Sequence, residues 1–128
     1  VDLSNCRLYG ILDLGYVARD SVQSMASQLV EGGIDILQLR AKSFEVEVIK
    51  QIAIEVLHIA KDGGVPFIIN DYPDIAADVG ADGVHVGQDD TAVTDARAIV
   101  GSQAIVGKST HSVDQAVATN ADQVDYIG

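Results

Sequence analysis

A parallel α/β fold is what this 128-residue chain predicts, on three observations. Short apolar runs bounded by Gly, Asn or Asp recur along it, as buried strands do. Between them lie stretches with apolar residues at helical spacing. The connections are short, so successive strands run parallel through right-handed crossovers.

The first strand is expected at Arg7 to Leu12 (RLYGIL). Asp20 and Ser21 offer caps for a helix that places Val22, Met25, Leu29 and Val30 on one face, and Gly32 and Gly33 end it. Ile34 to Leu39 (IDILQL) reads as the second strand. A second helix runs from about Glu45 to Asp62, with Val46, Ile49, Ile52, Ala53, Val56 and Ala60 in a stripe, and stops at Gly63 and Gly64. Pro66 to Ile69, Val84 to Val86 and Ala104 to Val106 are strands three to five. Shorter helices follow them at Asp74 to Val79, Ala92 to Val100 and Val113 to Asn120, and Val124 to Gly128 opens a sixth strand.

Five and a half such units suit a TIM (β/α)8 barrel without its last part, or an open doubly wound sheet. The polar residues favour the barrel. Gln38, Arg40, Lys42, Asn70, Asp71, Asp89, Asp90, Lys108 and Ser109 all fall at or just past the carboxyl end of an expected strand. Four strands thus deliver chemistry to one rim, whereas an open sheet concentrates its ligand at a single switch point. A closed barrel takes about 250 residues, so a half-finished sixth strand predicts that residues 1–128 are one domain, the amino-terminal portion of a longer barrel rather than a reduced relative.

Composition removes several function classes. The net charge of −11 argues against sequence-independent binding to nucleic acid or an anionic membrane. No apolar run is long enough to span a bilayer, and no export signal opens the chain. The lone Cys6, read as filler beside the first strand, allows no internal disulfide and suits a reducing cytoplasm. No G-x-G-x-x-G fingerprint, Walker loop, Ser-His-Asp order or His/Cys pair with metal-ligand spacing is present.

Among only eight basic residues, Arg40, Lys42 and Lys108 sit at strand ends. Arg40 and Lys42 are spaced to approach one anion together, the guanidinium as a planar fork and the ammonium as a point charge; each alone is also a common solvated loop cation. Asp71 and Asp90 end neighbouring strands and are expected close enough to share a hard cation such as Mg2+, which takes one or two carboxylates and fills its shell with water and phosphate oxygens. Helix capping is the competing role for both. Strand alternation turns His85 away from the helix-packed face, as a satisfied core histidine or a substrate contact. His111 lies beyond strand five, where it could orient a loop or donate to a ligand, and His58 is expected at the surface.

Taken in order, LYGILD, QLRAK, IIND, GADGVHVGQDD, GKSTHS and DYIG resemble the thiamine-phosphate synthase family over essentially the whole chain. That resemblance implies a TIM barrel acting as a Mg2+-dependent transferase of thiamine biosynthesis. It would couple 4-amino-2-methyl-5-(diphosphooxymethyl)pyrimidine to 4-methyl-5-(2-phosphooxyethyl)thiazole, giving thiamine phosphate and pyrophosphate. It implies that Gln38, Arg40, Lys42 and Asn70 hold the pyrimidine diphosphate, that Ser109 meets the pyrimidine substrate, and that Asp71 and Asp90 bind magnesium. Arg40, Lys42 and Ser109 would then be the catalytic residues, with His85 at the substrate. The implied mechanism is dissociative, cations stabilising the departing pyrophosphate, and needs no protein nucleophile. The family's carboxyl-terminal phosphate-binding loops have no counterpart here. The partners expected are small phosphorylated substrates, not nucleic acid or membrane, and a homo-oligomer is compatible. Two alternatives remain: a thiazole tautomerase-like isomerase, which has no use for diphosphate and metal, and a non-catalytic phosphate-ligand-binding barrel.

Overall fold

The computed structural model describes residues 2–119 and 123–128. Its strands are β1 (Tyr9–Asp13), β2 (Ile36–Arg40), β3 (Phe67–Asn70), β4 (Gly83–Val86), β5 (Ile105–Lys108) and β6 (Tyr126–Ile127). The helices α1 (Val22–Glu31), α2 (Val46–Asp62), α3 (Pro73–Val79), α4 (Val93–Val100) and α5 (Val113–Thr119) alternate with them. All neighbours pair parallel, in the spatial order β1-β2-β3-β4-β5-β6. A doubly wound sheet reverses its strand order at a switch point, whereas sequential order is that of a barrel wall. The expected barrel is therefore present as a six-stranded partial wall. No helix among the described residues is long and apolar enough to cross a membrane.

Strand alternation divides the apolar residues into two layers. Leu12, Leu37, Leu39, Phe67, Ile69, Val84, Val86 and Val106 face outward and are buried with Val22, Ala26, Ile49, Ile52, Ala53, Val56, Ile75 and Ala96 of the helices. Ile36, Ile68 and Ile105 face inward and pack with Leu3, Cys6, Tyr9 and Tyr126. The inner row Asn70, His85, Gly107 and Tyr126 runs across β3 to β6 at paired positions.

Two glycines of that inner surface make room for their neighbours. A Cβ on Gly83 would lie 2.1 Å from the Ile105 carbonyl oxygen, and one on Gly107 would lie 2.0 Å from Cζ of Tyr126. The Tyr126 ring thereby covers β5 and stacks on His85 of β4, centroids 5.5 Å apart.

Five of the six strands begin later than the apolar runs suggest, and β4 begins one residue earlier, at Gly83. Asp35, just before β2, accepts the backbone N–H groups of Arg7 and Leu8 at 2.8 Å through one carboxylate oxygen, so these N–H groups are clamped by a side chain rather than laddered. Those bonds also hold the Asp35 carboxyl below the ordinary aspartate range. The same device recurs before the other even strands: Asp82 accepts from Phe67 N–H at 2.7 Å and Asp125 from Val106 N–H at 2.8 Å. Each aspartate ties its strand to the start of the preceding odd one.

Two local expectations need correction. Ser21 occupies the N-cap of α1 but makes no side-chain cap bond, and Asp20 lies in a 3-10 turn, Arg19–Ser21, that leads the chain in. Val46 is exposed, since the buried stripe of α2 begins one turn later at Ile49. Asn120, expected to end the last helix, lies outside the described residues. His58 is at the surface, as expected.

Candidate active site

The carboxyl ends of β2 to β5 surround a cleft of about 410 Å3 lined by Arg40, Lys42, Asn70, Asp71, Asp90 and Ser109, with Gly87, Gln88, Asp89, His111 and Gln115. A second hollow of about 410 Å3 lies on the inner face, between Tyr9, Ile11, Gln38, His85, Tyr126 and Ile127, and shares Arg40 and Ser109 with the first. The expected site residues thus converge on two adjoining spaces, one polar at the rim and one more apolar within the wall. Lys108 does not join them: Gly107 faces inward, and the following residue alternates to the other face.

At the rim, opposite charges interleave. Lys42 Nζ lies 3.5 Å from Asp71 Oδ2, and Arg40 Nε lies 3.5 Å from Asp13 Oδ2. Burial, then the Asp90 carboxylate within hydrogen-bonding reach, raise the Asp71 carboxyl above the ordinary aspartate range, against the pull of Lys42. Asp90 Oδ2 accepts the Gly87 N–H at 2.9 Å, in a tight turn. The capping alternative does not hold for Asp71, because Tyr72 occupies the N-cap of α3 and no side chain caps that helix. Nor does Asp90 cap α4, whose N-cap is Ala92. Asp71 is the one non-glycine described residue with positive φ, 71°, a conformation that L-residues adopt at a cost. Its backbone N–H donates to the His85 carbonyl at 2.8 Å, which fixes the carboxylate over the cleft.

Asn70 ends β3 and is 4% exposed. Its Nδ2 is the one buried side-chain polar atom among the described residues without a hydrogen-bond partner. A buried amide left unpaired costs about 1–3 kcal/mol, so its persistence at a cleft wall points to a ligand acceptor.

Within the wall, five side chains form a continuous line. Gln38 Nε2 donates to the Tyr9 hydroxyl at 2.8 Å. The Tyr9 and Tyr126 hydroxyls are 2.5 Å apart, Tyr126 Oη lies 2.9 Å from His85 Nδ1, and His85 Nε2 lies 2.7 Å from Ser109 Oγ. Burial pushes both phenols above, and the imidazole below, their ordinary ranges; the Arg40 charge pushes His85 the same way, and Asp90 opposes it. Burial thus favours the uncharged form of all three rings. Gln88 Nε2 donates to the Ser109 carbonyl at 2.8 Å and anchors the loop. His111 lies at the cleft edge, its N–H bonded to Gln115 Oε1 at 2.8 Å.

Tyr9, Tyr126, Asp13 and Gln88 escape the reading of the sequence. The phase of each strand held the signal for the tyrosines, since Tyr9 shares its inward face with Ile11 and Tyr126 begins the short run before Gly128.

The thiamine monophosphate synthase family model matches residues 8–128. Thiamine-phosphate synthases of Shouchella clausii and Persephonella marina are each 38% identical to this chain, over 95% and 100% of it. The chain spans 58% and 60% of their lengths. The thiamine phosphate pyrophosphorylase of Pyrococcus furiosus superimposes with a TM-score of 0.87 at 26% identity, over 96% of this chain and 59% of that one. A dihydropteroate synthase of Thermus thermophilus, at 21% identity and a TM-score of 0.61, shares the fold alone. With the parallel wall, the strand-end site and these likenesses together, the chain belongs to the thiamine monophosphate synthase family.

Proposed function

We propose that this chain carries the pyrimidine-diphosphate half of a thiamine-phosphate synthase site. The protein would be a cytoplasmic transferase that joins the aminopyrimidine methyl diphosphate to the thiazole phosphate and releases pyrophosphate. The observation that carries the reading is the unpartnered Asn70 Nδ2, buried in a cleft that is also lined by two cations, Arg40 and Lys42, and three carboxylates, Asp71, Asp89 and Asp90. Arg40 and Lys42 supply the positive charge a diphosphate needs in so acidic a chain, and Asn70 donates to one of its oxygens. Gln38, His85 and Ser109 line the inner hollow beneath, where a flat heteroaromatic ring is held by a tyrosine-walled, partly apolar surface.

The carboxylates fit a magnesium ion. Asp71 and Asp90 lie together at the cleft, where burial and then the Asp90 carboxylate raise the proton affinity of Asp71 against the pull of Lys42. Two carboxylates are what Mg2+ takes when substrate phosphate and water complete its shell, and Asp71 and Asp90 would hold it. Bound there, magnesium would offset charge that builds on the leaving pyrophosphate. The chain's own part is to fix Asp71 by its strained backbone, hold the diphosphate between Arg40 and Lys42, and screen the ring from water in the inner hollow. A displacement that starts with departure of pyrophosphate needs no protein nucleophile.

Calorimetric titration with the pyrimidine diphosphate, with and without Mg2+, tests this. Binding is expected to require magnesium and to be lost in Asp71→Ala and Asp90→Ala. Arg40→Gln and Lys42→Gln should weaken the pyrimidine diphosphate far more than the thiazole phosphate. Equal losses for the two ligands, or binding indifferent to magnesium, would refute the assignment.

A further inference from the structure

Resting on that reading of the cleft, we infer that Tyr126 and Tyr9 are positioning residues that lock His85 as its Nε2–H tautomer and thereby aim the Ser109 hydroxyl hydrogen at the bound anion. The polarity of the line is set at one end, where Gln38 turns its Nε2, a donor only, to Tyr9 Oη. The hydrogen of Tyr9 then has one protein acceptor within reach, Tyr126 Oη at 2.5 Å. With that oxygen accepting, the Tyr126 hydrogen goes to His85 Nδ1 at 2.9 Å, which must be unprotonated. A neutral imidazole carries its proton on the other nitrogen, so Nε2–H donates to Ser109 Oγ at 2.7 Å. Ser109 accepts from below and donates into the cleft.

Both other arrangements fail the same count. If Nδ1 carried the proton, Tyr126 would accept from His85 and donate to Tyr9, and an imidazolium would have the same effect. In each case one tyrosine hydrogen, that of Tyr9 or that of Tyr126, is left without a protein acceptor, and for the Nδ1–H tautomer Ser109 spends its hydrogen on Nε2 instead of on a ligand. A serine beside a histidine usually donates to it; here the two tyrosines reverse that direction. The reversal depends on β6 reaching across β5, which Gly107 alone permits. A phosphate oxygen, acceptor only, is the ligand chemistry such a donor serves.

Imidazole 15N correlation spectra of the full chain at neutral pH read the tautomer directly, with His58→Gln and His111→Gln used to assign the three histidines. Magnesium pyrophosphate titrations read the donor. An unprotonated Nδ1 and a protonated Nε2 on His85 are expected. Tyr126→Phe keeps the ring but deletes the donor, and should mix the tautomers and raise the Kd for magnesium pyrophosphate about tenfold, the loss of one charge-assisted hydrogen bond. Ser109→Ala should lose the same factor, and the double variant should lose no more than either single one. Tyr9→Phe, which leaves the Tyr126 ring in place, should loosen the tautomer in the same direction. A His85 that carries its proton on Nδ1 or on both nitrogens overturns the inference, as do losses from Tyr126→Phe and Ser109→Ala that multiply. Failure of the unaltered chain to bind magnesium pyrophosphate would instead remove the reading of the cleft, while the tautomer still decides the relay.

Discussion

Replacing Asp71 by glycine should make the chain more stable and abolish the magnesium binding proposed for its cleft. The residue sits at φ 71°. An L-residue pays about 1–2 kcal/mol in that region, with aspartate near the lower end. The added freedom of glycine in the unfolded chain takes back roughly 0.5–1 kcal/mol. The side chain contributes with both signs. Its ion pair with Lys42, at 3.5 Å with the lysine half exposed, is worth about 0–1 kcal/mol. Burial and the facing Asp90 disfavour its ionised form more than Lys42 favours it, since the carboxyl is raised overall. The backbone part nets a gain of about 0–0.5 kcal/mol, or up to about 2 °C in Tm for a chain of this size, and at neutral pH the relief of burial and repulsion adds to it more than the lost ion pair removes.

The pH dependence follows from the direction of the shift. A carboxyl raised in the folded state binds its proton more tightly there than when unfolded, so its penalty is complete above the folded value and fades as pH falls toward the ordinary 3.8. The advantage of Asp71→Gly should therefore be largest near pH 7 and shrink in acid to the backbone part. Thermal unfolding by circular dichroism in chelator-containing buffer, at pH 7 and through the carboxylate range, measures this; Asp71→Asn, which tolerates the left-handed region without charge, separates the two contributions. A lower Tm for Asp71→Gly, or an advantage that grows in acid, would refute the account of strain and repulsion.

Two further outcomes are expected. Gly107→Ala puts a methyl group into the Tyr126 ring, so the ring must leave His85; stability and magnesium pyrophosphate affinity should fall together, and unchanged tyrosine fluorescence with unchanged affinity would contradict the packing. Asp82→Ala removes the clamp on Phe67 N–H and should cost about 1 kcal/mol by chemical denaturation with ligand affinity unaltered, because the clamp lies at the end of the wall opposite the cleft.

Much of this molecule is legible in its residues because two periodicities and the glycine punctuation are local properties. They suffice to separate strands from helices, and the grouping of Arg40, Lys42, Asn70, Asp71, Asp90 and Ser109 at strand ends suffices to assign a rim. His85 can be turned inward from Val84 and Val86 alone. What pairing distance brings together is not local. The strand order that makes a barrel wall, the reach of Tyr126 over Gly107 to His85, and the Asp35, Asp82 and Asp125 clamps each join residues 15 to 41 positions apart. No periodicity encodes such contacts, because they depend on register between strands. The left-handed backbone at Asp71 belongs with them: aspartate is permitted there but not required, and only the surrounding strand ends hold it against its own preference.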